Sequence, residues 1–328
     1  MADVVTFGEA MVRLSPPDFN RLEQTATLDV RVGGAEFNVA IGVARLGMSS
    51  AFVTRVPTNP LGRMIVNKTR EHGVDCSHVV WTKEDRAGLY FLEFGASPRP
   101  SNVIYDRKDS AISRIKKGEV NWDAALSGAK LFHTSGITAA LSPTAREAFL
   151  ESLEKAKQNK VKVSIDLNYR AKLWTEAEAQ ECMTMAMKYT DILITTEEDT
   201  MRVFKIEGKD YEEVARKLHD RFGFELVLIT LREDLSVWRN KWTAIALHDG
   251  KVYKTRTYEV EIVDRVGGGD SCSAGFLYGY LQDGDVQKGI DWGVAFSALK
   301  HSVPGDVNWC TPDEVKRLVG GGGLRIVR

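Results

Sequence analysis

Three consecutive glycines, Gly267–Gly269, stand directly before Asp270, and small and apolar residues follow as far as Phe276. Glycine is the residue for backbone that must take φ > 0 or lie close against another group. The run into "SCSAGFLYGYLQ" predicts a helix over Ser271–Gln282, placing Asp270 near its N-terminus. Unpaired N–H groups and the helix dipole favour negative charge there. Two readings follow. The plain one is a Gly-rich turn with Asp270 as an N-cap, worth about 1 kcal/mol. The chemical one is a cradle of backbone amides for an anion, with a carboxylate held beside that anion.

The rest of the chain must position that loop. Strand and helix signals alternate: "DVVTFG", a helix over Ala35–Gly47, "SAFVTRV", then "LGRMIVNKTREHGV" as a helix ending before Gly73. "AKLFHTSG" is read as a strand, Ser142 and Pro143 open a helix, and "KVKVSIDL" is a strand. Helices over Glu176–Lys188, near Glu197–Lys205 and over Tyr211–Phe222 follow, interleaved with the strands "DILIT" and "ELVLIT". Such alternation predicts an α/β fold, a parallel sheet with helices on both faces. Residues 12–34 and about 87–107 break the rhythm with strands that lack helices between them, and predict a small separate sheet. A hairpin turning at Asp249-Gly250 precedes the glycine triplet. Gly320–Gly323 reads as a loose tail, since no helix follows it. Ligands of open α/β sheets bind beyond the carboxyl ends of the strands. Gly8–Glu9, Ser135–Gly136, "DLNYR", "TTEED" and the glycine triplet all fall at such ends.

At 328 residues the chain is long enough for one large domain with an appendage or for two domains. A net charge of −1 makes no electrostatic case for nucleic acid or an anionic membrane. The four cysteines have neither metal nor disulfide spacing, and no basic leader or long apolar run is seen, so a soluble, cytoplasmic protein is expected. His133 has no partner at metal-ligand spacing and is read as a strand-end core histidine. Cys272 is read as a small buried residue, although a thiol in a helix's first turn can have a lowered pKa.

Asp264-Arg-Val-Gly267-Gly268-Gly269-Asp270 and "GGAEFNVAIGVARLG" (Gly33–Gly47) resemble the two signatures of the PfkB, or ribokinase-type, carbohydrate kinases. "YDRKDSA", "HTSGITAALSP", "DLNYRAKLW" and "KHSVPGD" resemble marks of the 2-keto-3-deoxygluconate kinase subgroup. The resemblance runs from about residue 3 to 307 and implies a single ribokinase-like kinase domain over residues 1–328, its small sheet forming a lid. It implies ATP as co-substrate with Mg²⁺, and a monovalent cation such as K⁺ as a further candidate. Gly267, Gly268 and Gly269 would form an anion hole for the transferring phosphoryl group, and Asp270 would be the base taking the acceptor's proton. Gly34, Asn38, Tyr90, Tyr105, Arg107, Arg170 and Asp270 would bind the sugar acid, the two arginines gripping its carboxylate. Thr230 and Arg232, with Gly267 and Gly269, would contact the nucleotide, and Asp199 would hold the metal through water. Relatives of this kind often pair lid to lid, so a homo-oligomer is expected.

The chain departs from the family pattern in three places: Arg265 stands for Thr, Gly268 for Ala, and Thr196 for the Asn of the metal motif. For Thr196–Asp199 the alternative is an N-capped helix start whose acids complement the dipole. Without the resemblance, the arginines would read as solvated surface and the tyrosines as packing. The implied activity is transfer of phosphate to the 6-hydroxyl of 2-keto-3-deoxygluconate. Its rivals are the same chemistry on a neutral sugar such as fructose or ribose, and a catalytically silent sugar sensor. A dinucleotide oxidoreductase fits poorly, because Cys272 takes the third glycine position of Gly-x-Gly-x-x-Gly.

Overall fold

The structure is a computed structural model and describes residues 1–322. Its main sheet contains β1 (Val4–Phe7), β4 (Ser50–Val53), β9 (Leu131–Ser135), β10 (Lys162–Asp166), β11 (Ile192–Thr195), β12 (Leu226–Ser236), β13 (Arg239–His248), β14 (Lys251–Lys254) and β15 (Tyr258–Glu261). The spatial order is β14-β13-β12-β11-β10-β9-β1-β4, with β15 also paired to β13. From β4 to β12 every pairing is parallel; β13 and its partners are antiparallel. The turn joining β13 to β14 is Asp249-Gly250, both at positive φ (48° and 72°), as a two-residue hairpin loop of primed type requires.

Successive strand residues face opposite sides, so a sheet buried on both faces is apolar at every position. Val5, Val163, Leu193 and Val227 pack with the helices Pro143–Gln158, Glu176–Met187 and Tyr211–Phe222. Val4, Leu131, Ile192 and Leu226 pack on the other side with the helices Ala35–Arg45, Gly268–Asp283 and Val286–Lys300. The two faces carry separate cores. The fold is the helix-flanked, mostly parallel α/β sheet that the strand and helix alternation predicts.

The small sheet is formed by the two regions that break the alternation: β2 (Met11–Ser15), β3 (Asp29–Gly33), β7 (Gly88–Glu93) and β8 (Asn102–Asp106), in the order β3-β2-β7-β8. Register places Val30, Leu14, Phe91 and Ile104 in one row across the four strands. Val30 is 52% and Ile104 49% exposed. Farther along the same face, Val12 and Val32 are covered by Phe37, Ile41 and Ile65. Tyr90 and Tyr105 pair on the opposite face.

Three sequence expectations need correction. The stretch "SAFVTRV" is broken after β4: its end forms β5 (Arg55–Pro57), which leaves the main sheet to pair with β6 (Val80–Thr82). The glycine-triplet helix begins earlier than expected, at Gly268 rather than Ser271, with Gly267 as its N-cap. Asp270 is therefore inside the first turn and is not the cap. Gly320 ends the helix Pro312–Val319 and the Gly322 amide bonds back to Arg317, so these glycines close a helix; Gly323 lies outside the described residues. Among the described residues no helix is long and apolar enough to cross a membrane.

Candidate active site

The carboxyl ends of β1, β10 and β11 and the middle of β12 open into one cleft of about 500 Å³, closed above by β7 and β8 and at one side by the glycine triplet. Every residue nominated from the sequence lines it: Gly34, Asn38, Tyr90, Tyr105, Arg107, Arg170, Asp199, Thr230, Arg232, Gly267, Gly268, Gly269 and Asp270. A wider mouth of about 980 Å³ continues past Tyr105, Arg107, Arg170 and Asp199.

The three glycines are demanded for different reasons. Gly267 has φ 81°, and a Cβ there would meet the Asp306 carbonyl oxygen at 2.0 Å. A Cβ on Gly268 would come within 2.8 Å of the His301 ring. A Cβ on Gly269 would meet no protein atom within 4 Å; it would project into open space. The Gly268 amide donates to Arg265 O and the Ser271 amide to Gly267 O. The amides of Gly269 and Asp270 have no acceptor among the described residues. Two donors at the positive end of a sixteen-residue helix are thus left for an anion.

Beside them, Asp270 Oδ2 accepts from Asn38 Nδ2 at 2.6 Å. Burial raises the Asp270 carboxyl to about 6; the Asn38 bond and the nearby Arg170 charge act the other way. Asp166 is held well above the usual carboxylate range, by burial first and then by the Asp199 and Asp270 charges. Asp199 is also raised by burial, while Arg170 opposes the rise. Like charges crowded in one cleft are relieved by a cation. Mg²⁺ takes one or two carboxylates together with phosphate oxygens and retains several waters. Asp199 and Asp166 fit that use, although among the described residues no group of three acids, His or Cys could hold a metal by itself. The capping alternative is also present: Thr196 Oγ1 accepts from the Asp199 amide at 3.0 Å.

Arg170 is exposed and makes no ion pair among the described residues. Arg107 is different. Its Nε and Nη2 both donate to Glu9 Oε2, and Ser110 Oγ donates to Glu9 Oε1 at 2.6 Å. Its fork is therefore already engaged by a buried acid, which sequence spacing could not reveal. The Tyr90 hydroxyl donates to Asp306 and is likewise committed. The Tyr105 ring lies 5.9 Å from the Tyr90 ring and 5.4 Å beneath the Arg107 guanidinium. Gly34 is extended, and a Cβ there would meet Glu9 O at 2.0 Å, so close approach is its reason.

On the other flank, Thr230 and Arg232 stand beside Trp242 and Arg265. Arg265, in place of the family's Thr, donates to Val237 O at 3.0 Å and ties the loop to the β12–β13 hairpin. Cys272 has no lowered pKa: burial pushes its thiol up to about 12. His133 is buried against Ser164 and pushed down to about 3, a neutral core histidine. Sequence reasoning missed Glu9, Glu36, Asp166 and Asp306 as cleft residues. Each lay inside a stretch singled out at a strand end or in a motif, but nothing marked which side chain turned inward.

A helix N-terminus with open amides, an adjoining carboxylate and acids suited to Mg²⁺ share one cleft at the strand ends of a ribokinase-like sheet. The pfkB carbohydrate kinase family model matches residues 1–314, and the chain belongs to that family; it is a sugar kinase. A solved ribokinase II structure from E. coli, 18% identical with a TM-score of 0.86 over 98% of this chain and 100% of that one, is in complex with ATP and Mg²⁺. The chain is 40% identical over 327 residues to the 2-dehydro-3-deoxygalactonokinase of Haloferax volcanii, covering 100% of this chain and 99% of that one. It is 32% identical over 306 residues to the 5-dehydro-2-deoxygluconokinase of Bacillus velezensis, covering 92% and 89%. The solved structure of 2-dehydro-3-deoxygluconokinase from Thermotoga maritima superposes with a TM-score of 0.95 at 42% identity, over 98% of this chain and 100% of that one.

Proposed function

We propose that this kinase transfers the γ-phosphoryl group of ATP to the 6-hydroxyl of 2-keto-3-deoxygluconate. The observation that carries the reading is the shared cleft of the glycine triplet, Asp270 and an unpaired Arg170. Asp270 accepts the proton of the acceptor hydroxyl as its oxygen bonds to phosphorus, and the bond to the bridging oxygen of ADP breaks. The Gly269 and Asp270 amides take the charge on the transferring group. Arg170 presents a guanidinium fork to the sugar carboxylate, with Tyr105 beside it; Arg107 contributes charge over that end while held by Glu9. Mg²⁺, held through Asp199 and Asp166, supplies neutralisation of phosphate charge. K⁺ fits less well: the carbonyls of Asp264 and Val303 beneath the loop already accept from the Lys300 ammonium.

A second reading is favoured by the Haloferax relative, named for the galactonate sugar, which differs in configuration at C4. We further propose that residues 1–328 work as one unit in the cytoplasm, where four free buried thiols stay reduced, and that two copies pair through the exposed row Val30–Ile104. The test of the activity is ADP release across a panel of the gluconate and galactonate sugar acids, fructose and ribose. Preference for a neutral sugar would overturn the sugar-acid reading, and no turnover on any of them would favour a silent sensor.

A further inference from the structure

Arg13, on β2 of the small sheet, is 1% exposed and has no part in the transfer chemistry. Its Nη2 donates to Asp264 Oδ2 and its Nη1 to Asp306 Oδ1, both at 2.8 Å, while Nε donates to Ser15 Oγ at 3.0 Å. Asp264 opens the glycine loop and also accepts from the Val266 amide at 3.0 Å and the Gly305 amide at 2.9 Å. Asp306 accepts from Tyr90 on β7, and its carbonyl packs where Gly267 lacks a Cβ. Lys300 is fully buried and donates to Asp264 O and Val303 O at 3.0 Å. Two cations and two carboxylates thus balance beneath the loop. A buried charge stripped of its partner is costly, so the set holds only when complete.

We propose that Arg13 is a positioning residue for the anion hole. Through Asp264 and Asp306 it fixes the backbone of residues 264–269 so that the Gly269 and Asp270 amides face the cleft. Because Arg13 belongs to the small sheet, the anion hole is complete only while β2 is docked. Covering the sugar and assembling the phosphate site are then one event, and water finds no finished site when the cover is away. The inference rests on the kinase reading above.

The test compares wild type, Arg13→Met, Arg13→Lys, Asp264→Asn and the double variant Arg13→Met/Asp264→Asn. Each is read by steady-state kinetics on the best sugar of the panel and by amide hydrogen exchange. In Arg13→Met we expect kcat to fall about tenfold or more while sugar KM stays within about threefold. Exchange at residues 264–269 should quicken by about tenfold or more. Arg13→Lys, which keeps the charge but not the fork, should recover part of kcat. Asp264→Asn should cost less in the Arg13→Met background than alone, as coupled residues do. A smaller kcat loss, a loss confined to KM, unchanged exchange or full additivity overturns the proposal. If Arg13→Met does not fold, Arg13→Lys is judged instead, with a kcat loss of about threefold or more expected. A wild type that phosphorylates no sugar defeats the proposed function alone; exchange at 264–269 then decides this inference.

Discussion

Asn38 donates to Asp270 across 2.6 Å and 232 positions of sequence, joining the first turns of two helices that meet at the cleft. The bond favours the ionised carboxylate, against burial that favours the neutral one, and burial prevails: the group sits at about 6. A base must be unprotonated to act, so kcat/KM is predicted to rise with pH through a midpoint near 6 and to level off about one unit above it. Asn38→Ala should move that midpoint upward. Asp270→Asn should lower kcat by about 10²–10⁴-fold with little change in KM. A flat profile between pH 5 and 8 would remove Asp270 from proton transfer.

The glycines separate packing from chemistry. Gly267→Ala is predicted to lower the melting temperature and the activity together, since its Cβ has nowhere to go. Gly269→Ala, whose Cβ faces open space, should leave melting unchanged yet reduce kcat by about tenfold or more by crowding the transferring group. A fully active Gly269→Ala would mean that the phosphoryl group lies elsewhere.

The two arginines are predicted to fail differently. Arg170→Ala should cost on the order of 2–5 kcal/mol in kcat/KM for the sugar acid with little change in melting, because exposed Arg170 makes no ion pair among the described residues. Arg107→Ala strands Glu9, itself 2% exposed, and should destabilise the fold by about 3–5 kcal/mol. The measurements are the ratio of 2-keto-3-deoxygluconate to fructose activity, and denaturant melts of both variants. An unchanged ratio in Arg170→Ala would sink the carboxylate assignment.

Glu36 offers a pH-dependent stability test. It is 1% exposed, accepts from Ser135 and Thr138, and is raised by burial from 4.5 to about 7. A group raised in the folded state contributes stability below its unfolded value and loses that contribution as pH rises through the folded one. Glu36→Gln should therefore gain on wild type between pH 5 and pH 8, by about 3 kcal/mol at most. Parallel melting curves across that range would count against a neutral Glu36.

Assembly is tested at the exposed row. Val30→Glu places a charge at the β3 end of the apolar row and should turn a dimer into monomers without unfolding them. Light scattering on both forms decides it; a monomeric wild type would end the pairing proposal.

The sequence alone determined the periodic features: the α/β alternation, the two strand-rich excursions, the Asp249-Gly250 hairpin turn and the motif order. Those features are local, because a period of 2 or 3.6 residues and a glycine's φ are legible within a few positions. It also brought the right loops to the cleft, since strand carboxyl ends are where such sheets bind. The partner of each polar side chain was decided only by the tertiary structure. Arg107 and Arg170 look alike in sequence, yet one is held by Glu9, 98 positions away, and the other is not. Arg13 lies unmarked within the first strand-rich excursion, and its partners Asp264 and Asp306 stand 251 and 293 positions on. A charge's role depends on what lies within a few ångströms of it and how much water is excluded, and no spacing along the chain encodes either.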